Sequence, residues 1–364
     1  MKKIELAIAI VSFCCFAINA QDSNLGPDFD FVPDDLVLLP MEALFQNPPP
    51  ATMEQVYYND GTKTTLGEVM PLIMQRKATP YMYVDADRNY KILVVKKVEE
   101  VESEPIQINY KNIPKNLKGL GYSFGNPESD TVIIHTQIGP MMRLLTEDFK
   151  GIFTNIGGID VEKYYVINAH QEQTLHPEKY AEKEITFEEA KALDKRTSQI
   201  LHELVTYFKA QNKTVYLAGL SFGAFAGIDF IAEYGNTADG YLFMVGRLDM
   251  TPEVWQSFSQ GVEATFEEDA TTVIVKSKAE DFKSININKI AAGFGHNRYT
   301  ELVKEEDLSN LIYYYGKKDQ SVGKLTDAEV QFLESKGAKV IGFDGGHNQT
   351  LDHLKEGLTL LLKN

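Results

Sequence analysis

The run Gly219-Leu220-Ser221-Phe222-Gly223 sets a serine between two glycines, each two residues away. A serine hydroxyl is a weak nucleophile near neutral pH. Chemistry at Ser221 therefore needs a base within hydrogen-bond reach and a third group to orient that base. The bare G-x-S-x-G pattern would arise by chance roughly 0.1 times in a chain of this length, so its surroundings carry the weight. An apolar run, Val215-Tyr216-Leu217-Ala218, leads straight into it, and an alanine-rich stretch, Ala224 to Ala232, leads out. This is the strand, turn and helix that an exposed nucleophile requires. The glycines remove Cβ atoms that would collide in a turn tight enough to strain the serine backbone.

The acid and the base are expected downstream, each in a loop after a late strand. Asp319 follows the run Leu311 to Tyr315, in Gly316-Lys317-Lys318-Asp319-Gln320. His347 follows Lys339 to Phe343, in Asp344-Gly345-Gly346-His347-Asn348. The interval between them holds one helix and one strand. Asp249, after Tyr241 to Val245, is the alternative acid. The remaining histidines are His135, at a strand end, and His170, His176, His202, His296 and His353, read as surface or packing residues. None has metal-ligand spacing such as H-x-x-x-H or H-E-x-x-H.

Elements that position these residues follow from periodicity. Thr131-Val132-Ile133-Ile134 and Tyr164-Tyr165-Val166-Ile167 read as buried strands. A long amphipathic helix is predicted from about Phe187 to Ala210, with Ile200, Leu201, Leu204, Val205 and Phe208 on one face. Strand 215–218, a helix from Gly223 to about Tyr234 and strand 241–245 come next. After a break at 250–308 the rhythm resumes with strand 311–315, helix 327–335, strand 339–343 and a final helix from about Thr350 to Leu362. Apolar β-branched runs alternating with helices predict an α/β fold, a mostly parallel sheet covered by helices on both faces.

With its elbow at Ser221, its Gly-x-x-Asp loop at Asp319 and its Gly-His loop at His347, the stretch 106–364 resembles the α/β-hydrolase superfamily. The resemblance implies that Ser221 is the nucleophile, His347 the base and then the acid, and Asp319 the carboxylate that holds the imidazole. Oxyanion donors are then expected from the backbone N–H of Phe222 and from the loop His135-Thr136-Gln137-Ile138-Gly139-Pro140. That loop is similar to a His-Gly-Gly-Pro-Gly type, with Thr136 and Gln137 replacing two glycines. Gln137 is the expected second donor, since Pro140 has no N–H. His135 resembles the histidine that opens the oxyanion loop in that superfamily, which implies a structural role for it. Residues 250–308 occupy the place of a cap, and their aromatics, Trp255, Phe258, Phe266, Phe282, Phe294 and Tyr299, would either line an acyl pocket or pack the cap itself.

Upstream, Met1-Lys2-Lys3 followed by the apolar Ile4 to Ile18 and a small Ala20 reads as an export signal over residues 1–20, too short for a comfortable membrane span. Both cysteines, Cys14 and Cys15, fall inside it, so an exported, periplasmic or secreted product would contain no thiol. Residues 21–105 read as an accessory module: an irregular Pro- and Asp-rich leader to about Pro50, a helix at Leu66 to Gln75, and strands at 81–84 and 91–95 joined as a hairpin. A formal charge of -16 disfavours nucleic acid as a partner. These observations lead to a carboxylic ester hydrolase acting on a small to medium ester or acyl substrate, with no metal or organic cofactor required and the oligomeric state open. An exported aminopeptidase or amidase, with Glu263, Glu267 and Glu268 holding an amine, is the second reading. A non-catalytic binding protein on the same fold is the third.

Overall fold

The structure is a computed structural model and describes residues 29–33, 35–39, 53–74, 78–86, 89–97 and 106–363. The expected export signal lies outside the described residues. Cα proximity divides the chain into two compact units, 1–105 and 106–364.

The first unit is a five-stranded sheet in the order β1-β4-β5-β2-β3. Its strands are β1 (Val37–Leu38), β2 (Val56–Tyr58), β3 (Lys63–Thr64), β4 (Ala78–Val84) and β5 (Tyr90–Lys97). The β4–β5 pair is antiparallel, as expected, whereas β2 runs parallel to β5. The leader is less irregular than its composition implied, because Val37 and Leu38 pair with β4 as an edge strand. Alternation along β4 and β5 sends Met82, Leu93 and Val95 to one face with Val69 of the helix Leu66–Met74. Tyr83 and Val94 face Phe29 on the other.

The second unit holds a seven-stranded sheet in the order β14-β13-β10-β9-β7-β8-β6. These strands are β6 (Gly121–Gly125), β7 (Thr131–Thr136), β8 (Tyr165–Ala169), β9 (Thr214–Leu220), β10 (Gly240–Met244), β13 (Leu311–Gly316) and β14 (Lys339–Phe343). All neighbours are parallel except β6, which pairs antiparallel with β8 at the edge. Helices cover both faces, and β10 shows how. Phe243 meets the helix Phe222–Tyr234 so closely that a Cβ on Gly227 would lie 2.3 Å from its ring, while Leu242 points the other way, against Gly357 of the helix Leu354–Leu361. The helix Phe187–Ala210 buries Ile200, Leu201, Leu204, Val205 and Phe208, the face given by its spacing.

From β7 the chain steps to β8 on one side, and from β9 it steps to β10 on the other. The loops leaving the carboxyl ends of β7 and β9 therefore diverge, and a crevice opens between them at this switch point. Besides edge strand β6, where the sequence announced none, two stretches depart from the sequence expectation. The stretch 250–308 contains a hairpin, β11 (Val262–Phe266) with β12 (Val273–Lys278), between the helices Pro252–Ser259 and Phe282–Gly295. The single helix expected from Thr350 is instead a 3-10 turn, Asn348–His353, followed by the helix Leu354–Leu361.

Candidate active site

Ser221 stands at the carboxyl end of β9, at the switch point, with φ 55° and ψ -121°. A left-handed φ is strained for a serine, and the surroundings enforce it. Its N–H donates to Met244 O at 2.8 Å and its carbonyl accepts from Ala224 N at 2.9 Å. A Cβ on Gly219 would lie 2.3 Å from Gly223 O, and one on Gly223 would lie 2.1 Å from Thr136 O. Both glycines are therefore steric requirements of the turn.

Two loops converge on the serine from β13 and β14. The ladder continues past the strands, with Lys317 N donating to Phe343 O at 3.0 Å and Lys318 N to Gly345 O at 2.9 Å. Asp319 and His347 are thereby brought side by side. Asp319 is 1% exposed. Its Oδ1 accepts from the N–H of Ser321 at 2.8 Å and of Val322 at 3.1 Å, and its Oδ2 lies 2.8 Å from His347 Nδ1. His347 Nε2 lies 2.9 Å from Ser221 Oγ. An ionised carboxylate only accepts, so Nδ1 carries the proton and Nε2 presents its lone pair to the serine hydroxyl. Asp249, the alternative acid, is engaged elsewhere: its Oδ2 accepts from Thr300 Oγ1 at 2.6 Å and pairs with Arg298 at 3.1 Å.

Phe222 begins its helix, where the first N–H groups have no intrahelical acceptor. Gln137 directly follows β7, and its carbonyl sits 3.0 Å from a Cβ built on Gly223, so its backbone borders the elbow. The sequence did not announce what its side chain does. The fully buried amide donates from Nε2 to Arg143 O at 2.8 Å and accepts from Leu145 N at 2.6 Å. Gln171 Nε2 donates to Gln137 O at 2.6 Å. Where glycines would leave a supple loop, two glutamines stitch this one shut.

His135 extends the same support. Asn168 Nδ2 donates to Leu145 O, which leaves Asn168 Oδ1 to accept from His135 Nδ1 at 2.8 Å. The imidazole stacks on Phe149 at 4.6 Å, and burial holds its pKa down at about 4, so it stays neutral. His170 is likewise buried and held at about 4. Of the cap aromatics, Phe266, Phe294 and Tyr299 are buried in the main core, and Phe294 packs on Phe222 with ring centroids 5.2 Å apart. Phe282 is exposed. Glu263 pairs with Lys276 at 2.7 Å, and Glu267 and Glu268 face solvent. Among the described residues no cluster of three or more His, Cys, Asp or Glu is arranged to hold a metal ion. No described helix is long and apolar enough to cross a membrane.

No protein-family model matches the chain, and no curated protein matches it in sequence. Solved structures do. One from work on LipS and LipT, two metagenome-derived lipolytic enzymes, is 12% identical, with a TM-score of 0.43 over 67% of this chain and 98% of its own. MGS-M2, an alpha/beta hydrolase enzyme from a Medee basin deep-sea metagenome library, is 11% identical, with a TM-score of 0.44 over 67% of this chain and 92% of its own. A thermophilic esterase from Thermogutta terrifontis is 12% identical, with a TM-score of 0.42 over 67% of this chain and 92% of its own.

Proposed function

We propose that the chain is a serine hydrolase of the α/β-hydrolase superfamily that cleaves a carboxylic ester through an acyl-enzyme on Ser221. The observation that carries this reading is the unbroken line from the strained serine through His347 to buried Asp319, at 2.9 and 2.8 Å. Ser221 Oγ attacks the ester carbonyl carbon as His347 Nε2 takes its proton. The carbonyl electron pair moves onto oxygen, where the N–H groups of Phe222 and Gln137 stabilise the charge. Collapse expels the alcohol, which leaves with the proton from His347. A water then gives a proton to His347, attacks the acyl carbon and releases the carboxylic acid, restoring Ser221. Asp319 keeps the imidazole in the tautomer that this sequence of transfers needs.

An aminopeptidase would use cap carboxylates to hold a free amine, and Glu263 is already neutralised by Lys276. Assay of short and long p-nitrophenyl esters beside aminoacyl arylamides tests the reading. Ester turnover that vanishes in Ser221→Ala is expected, with arylamides untouched. Turnover of arylamides alone would transfer the reaction to the peptidase class.

A further inference from the structure

After β10 the chain leaves the sheet, and the two ends of the excursion meet at Asp249 and Arg298, which form a single antiparallel bridge. Between this neck and the helix Asp327–Ser335 lies a cleft of about 500 Å³ whose lining includes neither Ser221 nor His347. Arg247 lines it while being only 7% exposed. Its charge is balanced by Glu329, buried beside it, but its donors are not all used there. The Glu329 carboxylate accepts from Arg247 Nη2 at 3.1 Å, from Leu248 N at 3.1 Å, from Asp249 N at 2.9 Å, and from Thr326 N and Oγ1 at 2.8 Å each. Five donors fill a carboxylate that has about four lone-pair positions.

Arg247 also donates from Nη1 to Thr251 Oγ1 at 3.2 Å. Its Nε is sealed from solvent without a partner, which leaves the remaining Nη hydrogens as the donors it offers the cleft. A buried guanidinium with unused donors is costly unless an acceptor arrives. Thr251 has turned its hydroxyl to Arg247, so no side chain caps the helix Pro252–Ser259 that it precedes. First-turn residues of that helix line the cleft and add one uncapped positive helix end, whereas Asp327–Ser335 is closed by the reciprocal bonds of Thr326 and Glu329. At the rim stands the exposed Arg298. The second carboxylate there, Asp249, is already held by Thr300 and Arg298.

We propose that this cleft binds a small organic anion, its carboxylate or phosphate oxygens between Arg247 and Arg298 and its apolar body against Pro252, Ala328 and Phe332. The site is independent of the reaction proposed at Ser221.

Calorimetric titration of the full chain with hexanoate, phenyl phosphate and neutral 1-hexanol tests it, in wild type, Ser221→Ala, Arg298→Gln and Arg247→Lys, with thermal unfolding as the check on folding. The expected result is binding of at least one anion, not of hexanol, retained in Ser221→Ala and weakened roughly tenfold or more in each folded arginine variant. Whichever of the two anions binds tighter names the head group. Arg298 is on the surface, so its variant keeps the test decisive should Arg247→Lys fail to fold. No anion binding up to about 10 mM, or equal affinity in Arg298→Gln, would overturn the proposal.

Discussion

Gly223 stands so close to the end of β7 that a Cβ on it would lie 2.1 Å from the carbonyl oxygen of Thr136. The turn at Ser221 and the loop proposed to carry the second oxyanion donor are thus in contact through bare backbone. Gly223→Ala has to separate them, because the opposing atom is main chain and has no rotamer to yield. The expected outcome is a destabilisation of about 2 kcal/mol or more, seen in urea unfolding, together with loss of ester turnover. A variant with wild-type stability and rate would show that this contact does not hold the site.

Gln137 should matter twice, and the two contributions are separable. Gln137→Leu keeps the backbone N–H but strands Leu145 N–H and removes the bond to Arg143 O. That leaves a buried donor unsatisfied at about 1–3 kcal/mol. A fall in kcat of roughly ten- to a hundredfold is expected, with KM changing much less, because the loop proposed to aim the oxyanion donor loosens. Gln137→Glu keeps the acceptor for Leu145 but sets a buried carboxylate oxygen against Arg143 O, an acceptor facing an acceptor, and should lose more. Steady-state kinetics on a p-nitrophenyl ester measures both; equal losses in the two variants would contradict the argument.

The choice of acid rests on geometry. Asp319→Asn can no longer enforce the Nδ1–H tautomer of His347 and should lose roughly 10⁴ in kcat. Asp249→Asn should lose at least about a hundredfold less than that, its carboxylate serving Thr300 and Arg298. The reverse ranking would assign the imidazole to Asp249.

Behind the elbow, Asp229 accepts from Ser198, Tyr299 and Asn297. Burial raises its pKa from 3.8 to about 6 despite those bonds, and Glu233 adds repulsion. Asp194, buried beside it, is raised well above the usual carboxylate value by burial and by Asp229 itself. Between about pH 4 and 6 the folded state therefore binds more protons here than the unfolded chain, and this contribution weakens stability as pH rises. His135 and His170, held down at about 4, act oppositely over the same range. They cancel when wild type is compared with Asp229→Asn. The variant should gain on wild type by on the order of 2 kcal/mol between pH 4 and pH 8. Urea unfolding at both pH values gives that difference, and a pH-independent gap would remove Asp229 from the titration.

The parallel core was legible because strands buried on both faces read as unbroken apolar runs, as in Val132-Ile133-Ile134 and Tyr241-Leu242-Phe243. The elbow was legible because its glycines answer a steric need that is local in sequence. Edge strand β6 was not: Gly121 and Gly125 flank it as turn residues would, and they are there because β8 passes too close for a Cβ, 2.7 Å from Asn168 O and 2.3 Å from Tyr164 O. β12 hid for a different reason. Its Lys276, Ser277 and Lys278 face water, so it lacks a buried stripe. Gln137 ties its own loop, six and eight residues on, in irregular backbone that no periodicity marks, and the role of Arg247 is long-range. Arg247 meets Glu329 at a separation of 82 positions along the chain, and no spacing rule reaches that far.

The central claim is that Ser221 is a nucleophile activated by His347. Labelling the folded full-length chain with a fluorophosphonate probe, then locating the adduct by peptide mass, tests it most directly. One adduct is expected, on Ser221, with labelling lost in Ser221→Ala and slowed by roughly 10³-fold or more in His347→Ala. A folded chain that resists the probe, or carries it on another residue, would contradict the account.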